Sequence, residues 1–400
     1  MTEWRKYSLD EVCTRIYSGG TPSTRHPEYW NGDFRWLSSG ETSQRFIYDT
    51  DRTITQEGID HSSTKLARKG CTVIATAGQG YTRGQASFLM TDTYMNQSVI
   101  ACEADPRYVL PLYLYYNLDG RYEEFRLLSD GTSTRGGLSG WILKRMDIDL
   151  PSLVEQEKIV GILSALDYKI AMNNAINNHL EQMAQAIYKS WFVDFEPFDE
   201  SFISEWMPST LGEIANIKTN SWSPAKHPDD IVEHYSIPAF DERHYPTFEI
   251  ASGIKSNKYI ITPDSVMISK LNPDTKRIWR PLCISENPVC STEFIVYEAK
   301  KSCQRDYIYS VIDSNSFLKY LCSHTTGSTN SRQRAAPKST LDFPLLLPPD
   351  SVIDEFCRTV TPVYDLIASN IIENQSLARA RDTILPRLMS GELDISAIDL

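Results

Sequence analysis

Two stretches of the chain carry apolar residues that recur alternately by four and by three, the spacing that lines one seam of a coiled coil. The first seam is Ile159, Leu163, Leu166, Ile170, Asn173, Asn177, Leu180, Ala184, Ile187 and Trp191. The second is Phe356, Val360, Val363, Ile367, Asn370, Asn374, Leu377, Arg381, Ile384 and Leu388, each member lying 197 positions after its counterpart. Both seams break at the same two places, with asparagine. A seam asparagine costs stability and fixes register, because its amide is satisfied by a matching amide across the interface. Antiparallel pairing would set Asn173 against Asn374 and Asn177 against Asn370, with a pseudo-twofold axis through the polar middle. Ile170, Leu180, Ile367 and Leu377 would flank them in the interface.

The helix ends are also legible. Ser152 with Glu155 is a capping-box signature directly after Pro151, and Ser351 with Asp354 is a weaker version of it. Pro362 and Pro386 have no counterparts in the first stretch. They predict a fresh helix start at Thr361-Pro362 and an end or kink near Leu385, a second seam of about 36 Å.

Ahead of each helical stretch the period shortens to that of β-strands, and the two β-rich parts also repeat at about the same distance. Leu9-Asp10-Glu11-Val12 corresponds to Leu211-Gly212-Glu213-Ile214, the turn and buried strand Lys69 to Ala75 to Thr262 to Ile268, and Leu150-Pro151 to Leu347-Pro348. Gly131-Thr132-Ser133-Thr134 corresponds to Gly327-Ser328-Thr329-Asn330. The reading is an α+β chain with a mixed α/β domain over 1–150, a central helix over 151–196, a second domain over 197–348 and a C-terminal helix over 349–400.

Composition changes this picture in one respect. At 41% apolar and 23% charged residues most of the chain should fold, and with no signal-peptide core at its start and no membrane-length apolar run it reads as soluble and intracellular. The eight cysteines contain no C-x-x-C pair and read as reduced thiols, so no metal site is indicated. Forty basic residues face fifty-two acidic ones, a formal charge of −12. A chain of that sign that binds DNA must confine its positive charge to a few loops or borrow it from partners.

Thr132-Ser133-Thr134-Arg135-Gly136-Gly137-Leu138 followed by Asp149-Leu150-Pro151-Ser152-Leu153-Val154-Glu155-Gln156-Glu157-Lys158-Ile159 resembles the end of a target recognition domain and the start of the central helix in type I restriction-modification specificity subunits. Gly19-Gly20-Thr21-Pro22-Ser23, Tyr29-Trp30-Asn31-Gly32, Trp36-Leu37-Ser38 and Met95-Asn96-Gln97-Ser98-Val99 are similar to the first recognition domain of that family. The second half departs more, with Asn220-Ser221-Trp222-Ser223-Pro224 in place of the Gly-Gly loop and Ile353-Asp354-Glu355 in place of Val-Glu-Gln. The resemblance implies two recognition domains held apart by an antiparallel helical rod of about 35 to 50 Å, one turn of B-DNA or a little more. It implies double-stranded DNA as ligand, read as two half-sites around an unread spacer, and two modification subunits as partners. Restriction complexes would add two motor-nuclease subunits. No cofactor is expected on this chain, and S-adenosylmethionine is expected in the modification subunit.

Base reading needs hydrogen-bonding side chains on loops, with cations nearby for phosphates. Three loops per domain qualify. The first domain offers Thr21, Ser23 and Arg25; Gln79, Tyr81, Thr82, Arg83 and Gln85; and Thr132 and Arg135. The second offers Asn220, Trp222 and Lys226; Lys270, Asn272, Lys276, Arg277 and Arg280; and Thr329, Arg332 and Arg334. Lys270 to Arg280 holds four basic residues against one acid, and Ser328 to Lys338 three against none, in an otherwise acidic protein.

Catalytic readings have less behind them. Asn272-Pro273-Asp274-Thr275 lacks the second proline and the aromatic of an adenine methyltransferase pocket. Pro273-Asp274 with Glu298-Ala299-Lys300 fits the loose spacing of a PD-(D/E)xK nuclease metal site, an alternative the structure must answer. The seven histidines show neither metal nor Ser-His-Asp spacing.

Overall fold

The computed structural model describes residues 4–78, 81–130, 137–326, 333–393 and 395. By packing, the chain divides into two units: Met1–Ile170 with Ser376–Leu400, and Ala171–Gln375. Each unit therefore takes a β-rich part and half of each of two forty-residue helices, Leu153–Phe192 and Asp350–Met389.

In the first unit a five-stranded sheet runs in the order Cys13–Ser18, Val99–Ala104, Thr72–Ala75, Ala86–Leu89, Phe46–Ile47. Its three central strands are buried on both faces, so alternate residues serve different cores. Ile74, Phe88, Ile100 and Cys102 pack on the helix Pro111–Asp119, which in turn meets Ile159, Leu163, Leu385 and Leu388 of the long helices. Val73, Leu89, Val99 and Ala101 face Leu37 and Met95 of a second sheet, ordered Arg52–Ile54, Trp30–Leu37, Thr93–Met95, Lys65–Ala67. The strand Arg5–Ser8 pairs with Asp147–Leu150, tying the start of the unit to the entry of the first long helix.

The second unit repeats this plan. Its first sheet runs Ala215–Lys218, Phe294–Ala299, Ser265–Ser269, Ile278–Trp279. Val266, Ile268, Ile295 and Tyr297 pack toward the helix Arg305–Asp313 and toward Phe356 and Val360. Met267, Phe294 and Val296 face Tyr235, Ile261 and Cys290 of the other sheet. The strand Met207–Thr210 pairs with Pro344–Leu347. The strand connected in parallel also recurs: Trp30–Leu37 beside Thr93–Met95, and Ile231–Tyr235 beside Pro288–Ser291.

The long helices correct two expectations. The second runs unbroken from Asp350 to Met389, about 60 Å at 1.5 Å per residue, through Pro362 and Pro386. Both prolines are exposed, so each ring projects into water and not into the core. The cost of an interior proline, about 3 kcal/mol, is offset by burial of Phe356, Val360, Tyr364 and Ile367 on the opposite face. This helix also begins before Ser351, its first turn closed by Val352 N–H donating to Pro349 O at 2.9 Å. Ser152 does cap the first long helix, its Oγ accepting from Glu155 N at 3.3 Å.

Within the second unit the two helices run antiparallel past one another. Asn173 Nδ2 donates to Asn374 Oδ1 at 2.9 Å, and Asn370 Nδ2 to Asn177 Oδ1 at 2.8 Å. Asn173 also reaches Glu373 Oε2 at 2.7 Å, and Asn374 donates to Asn174 at 2.8 Å. Ile367 is buried here, whereas Ile170, Leu180 and Leu377 are half-buried at the edge of their seams. In the first unit the helices meet through a buried ion pair, Arg381 Nη1 with Asp167 Oδ1 at 2.6 Å. All eight cysteines are free thiols.

Candidate nucleic-acid interface

The loop after Cys13–Ser18 is laid against its own domain by its glycines. Gly20 N–H donates to Met95 O at 3.0 Å, and a Cβ on Gly19 or Gly20 would come within 1.9 Å of Met95 O or 2.1 Å of Ser63 Oγ. Trp36 and Trp30, crossed edge to face at 5.0 Å, donate their indole N–H groups to Gly20 O and Ser23 O. This leaves Thr21, Ser23 and Arg25 exposed at the tip, with Thr21 Oγ1 bonded to Gln97 Oε1 at 2.6 Å.

The loop over 77–85 is the tip of a hairpin between Thr72–Ala75 and Ala86–Leu89, closed by Gly84 N–H donating to Ala75 O at 2.8 Å. Gly78 and Gly84 have φ of 145° and 92°, conformations that explain the glycines without any ligand. Tyr81 projects with 80% of its surface exposed, while its carbonyl is held by Tyr122 Oη at 2.9 Å. Thr82, Arg83 and Gln85 are half-buried. Gln79, Thr132 and Arg135 lie outside the described residues, as do Thr329 and Arg332.

In the second unit Asn220 and Lys226 are exposed, and Trp222 sits on a short strand against Tyr259 and Lys258, stacked on His227 at 5.8 Å. The basic loop that follows Ser265–Ser269 is a different matter. Lys276 Nζ meets Asp313 Oδ1 at 2.5 Å, Arg277 makes a two-pronged pair with Asp241 at 2.6 and 2.9 Å, and Arg334 does the same with Glu293 at 3.0 and 3.2 Å. Arg280 is 11% exposed and grips Asp306 and Asp365. Burial alone would raise the Asp306 carboxyl, but hydrogen bonds from Arg280 and Arg305 outweigh it and hold the group at about 2. Asn272 adopts φ of 48° and fixes the turn through its backbone, bonding to Gln333 O and Thr275 N. Of this loop's cations only Lys270 is half-buried without an ion pair among the described residues.

Two features went unread in the sequence. Arg52 is exposed and its guanidinium lies 3.7 Å above the Trp30 ring, beside the Thr21 to Arg25 tip. No periodicity marks it; strand pairing of Arg52 with Trp36 brings it there. Arg25-His26-Pro27 and Lys226-His227-Pro228 echo each other, and each imidazole stacks on an aromatic of its own loop, His26 on Tyr29 at 4.8 Å. That signal was available in the chain.

The nuclease alternative fails on geometry. Glu298 pairs across the sheet with Ser265, whereas Asp274 lies beyond Ser269 at the other end of that strand, more than about 13 Å of β-structure away. Glu298 is held by Lys218 at 3.2 Å and Asp274 by the N–H of Thr275. Among the described residues no three His, Cys, Asp or Glu side chains converge as a metal site, and no helix is long and apolar enough to cross a membrane.

Residues 1–182 match the family model of the type I restriction modification DNA specificity domain. Over 421 residues the chain is 25% identical to the MjaIX type I restriction enzyme specificity subunit of Methanocaldococcus jannaschii, covering 99% of this chain and 95% of that one. It is 22% identical over 477 residues to the HindI specificity subunit of Haemophilus influenzae, covering 98% and 100%. The crystal structure of the S subunit of a type I restriction-modification system from M. genitalium shares the fold, with a TM-score of 0.54 at 17% identity over 97% and 96% of the two chains. The duplicated α/β plan with two long helices is thus the fold of that S subunit. Over nearly its whole length the chain is similar to specificity subunits of type I restriction enzymes, and its first 182 residues match the DNA specificity domain of that family.

Proposed function

We propose that each unit reads one half of a bipartite site in double-stranded DNA, and that adenine methylation and cleavage there are carried out by partner subunits. The chain itself recognises and does not catalyse. One observation carries this reading: the two units share the order of four strands in each of their two sheets, but their tips differ in chemistry, with Thr21, Ser23, Arg25 and Tyr81 exposed in one and Asn220 and Lys226 exposed beside the half-buried Trp222 in the other. Two readers of one fold with different contact sets suit two different half-sites.

Sparse free cations on an acidic chain support shared DNA binding, in which two modification subunits, each holding S-adenosylmethionine, supply most of the phosphate contacts. Two motor-nuclease subunits would join in a restriction-competent complex, and the setting would be the cytoplasm. The test is a genome-wide map of methylated adenines in cells with and without this chain. Loss of one split motif on its removal supports the reading; an unchanged set of motifs contradicts it.

A further inference from the structure

We infer that Arg45 and Arg280 are positioning residues that fix how each reader sheet is presented on the long helices, and thereby how many unread base pairs separate the half-sites. The inference rests on the DNA-reading function proposed above.

Each arginine sits at the outer edge of its unit's first sheet. Arg45 directly precedes the edge strand Phe46–Ile47, and its carbonyl accepts from Phe88 N–H; Arg280 directly follows the edge strand Ile278–Trp279. Each reaches from there to a short helix and a long one. Arg45 Nη1 contacts Asp119 Oδ2 at 2.7 Å, at the end of Pro111–Asp119, and its Nε lies 3.5 Å from Asp167 Oδ1 on the first long helix. Asp167 also accepts from Tyr116 Oη at 2.8 Å and pairs with Arg381 of the second long helix. Arg280 donates twice to Asp306 on Arg305–Asp313, at 2.8 and 3.2 Å, and to Asp365 on the second long helix at 2.7 Å. Thr361 of that helix donates to Asp306 as well, at 2.7 Å.

Two arguments separate this from ordinary stabilisation. Arg45 and Arg280 lie 235 residues apart, far from the 197-residue repeat, so duplication did not copy one anchor from the other. In each unit a different residue bolts the last strand of the first sheet to a short helix and a long one. Moreover, well-packed apolar side chains in such places are as stabilising as buried ion pairs, whereas a planar guanidinium fixes direction as well as distance, at Arg280 through hydrogen bonds to two carboxylates and at Arg45 through one to Asp119 with the Asp167 charge beside it.

The experiment maps methylated adenines in cells expressing the modification subunit with wild-type chain, Arg45→Met, Arg45→Lys, Arg280→Met or Asp365→Asn, alongside melting temperatures of the purified complexes. Expected for the methionine variants and Asp365→Asn are unchanged half-site bases but relaxed spacing. Sites one base pair longer or shorter should be methylated at about a tenth of the native level, against about a hundredth or less for wild type. Arg45→Lys should fall between. Asp365, 64% exposed, can lose its charge without unfolding the unit, so it decides the matter if the methionine variants do not assemble. A single spacer length retained in every folded variant overturns the inference. Absence of any split motif with the wild-type chain sinks the functional reading and this inference with it.

Discussion

The two units spend their arginines differently. The second carries the loop richest in basic residues, yet Lys276, Arg277, Arg280 and Arg334 are each matched to a carboxylate of their own unit. The first has fewer loop cations, and Arg25 and Arg52 stand exposed beside one tip. A count of positive charge along a loop therefore overstates what is offered to a phosphate. The partners that cancel it, Asp313, Asp241, Asp306 and Glu293, come from elsewhere in the chain.

The largest expected effect probes the cores that the units build around equivalent helix positions. Phe356 meets Tyr188, Trp191, Phe192 and Tyr307, whereas Ile159 at the matching position is a buried aliphatic member of the first unit's core. Phe356→Ala should cost about 3–5 kcal/mol and Ile159→Ala about 2–4 kcal/mol in chemical denaturation. Equal and small losses would contradict the packing described.

Acid should separate the two anchors. Asp306, held at about 2 in the folded chain, contributes stability that is complete above the unfolded carboxylate value near 4 and is lost as pH falls through about 2. The loss is on the order of 2 kcal/mol, and Asp306→Asn should abolish that part of the pH dependence. Asp119 shifts the other way: burial raises its carboxyl more than Arg45 lowers it, so protonation favours the folded first unit. Urea melts between pH 5 and 2.5 should show the second unit failing first. Failure of the first unit before it would refute the assignment.

Much of this architecture is legible in the chain because it is periodic. The seams, their asparagine breaks and the repeat at 197 follow from spacing, and spacing is what helices and paired strands enforce. Pro362 misled for a physical reason: local propensity lost to the apolar surface buried on the far side of the helix. The site was less legible. Arg277 and Arg52 are alike in sequence, both in polar surroundings, and what distinguishes them is Asp241 beside one and the Trp30 face beneath the other. Such non-local pairings carry no period.

Smaller effects follow. Asn370→Ala removes the amide bond to Asn177 inside the second unit and should cost about 1–2 kcal/mol in thermal melts of the intact chain. Arg25→Ala should leave stability within about 0.5 kcal/mol of wild type while reducing the salt dependence of DNA binding by about one phosphate contact. Arg277→Ala should lower stability by up to about 1 kcal/mol and leave that salt slope unchanged. A reversed pattern, with Arg277 setting the slope, would mean that its pair with Asp241 opens on DNA.

The most direct measurement maps methylated adenines with Tyr81→Ala and, separately, with Lys226→Ala. The account predicts that the first variant relaxes base preference in one half of the split motif and the second in the other half only. If either variant altered both halves, or if both altered the same one, two independent readers on one chain would be the wrong description.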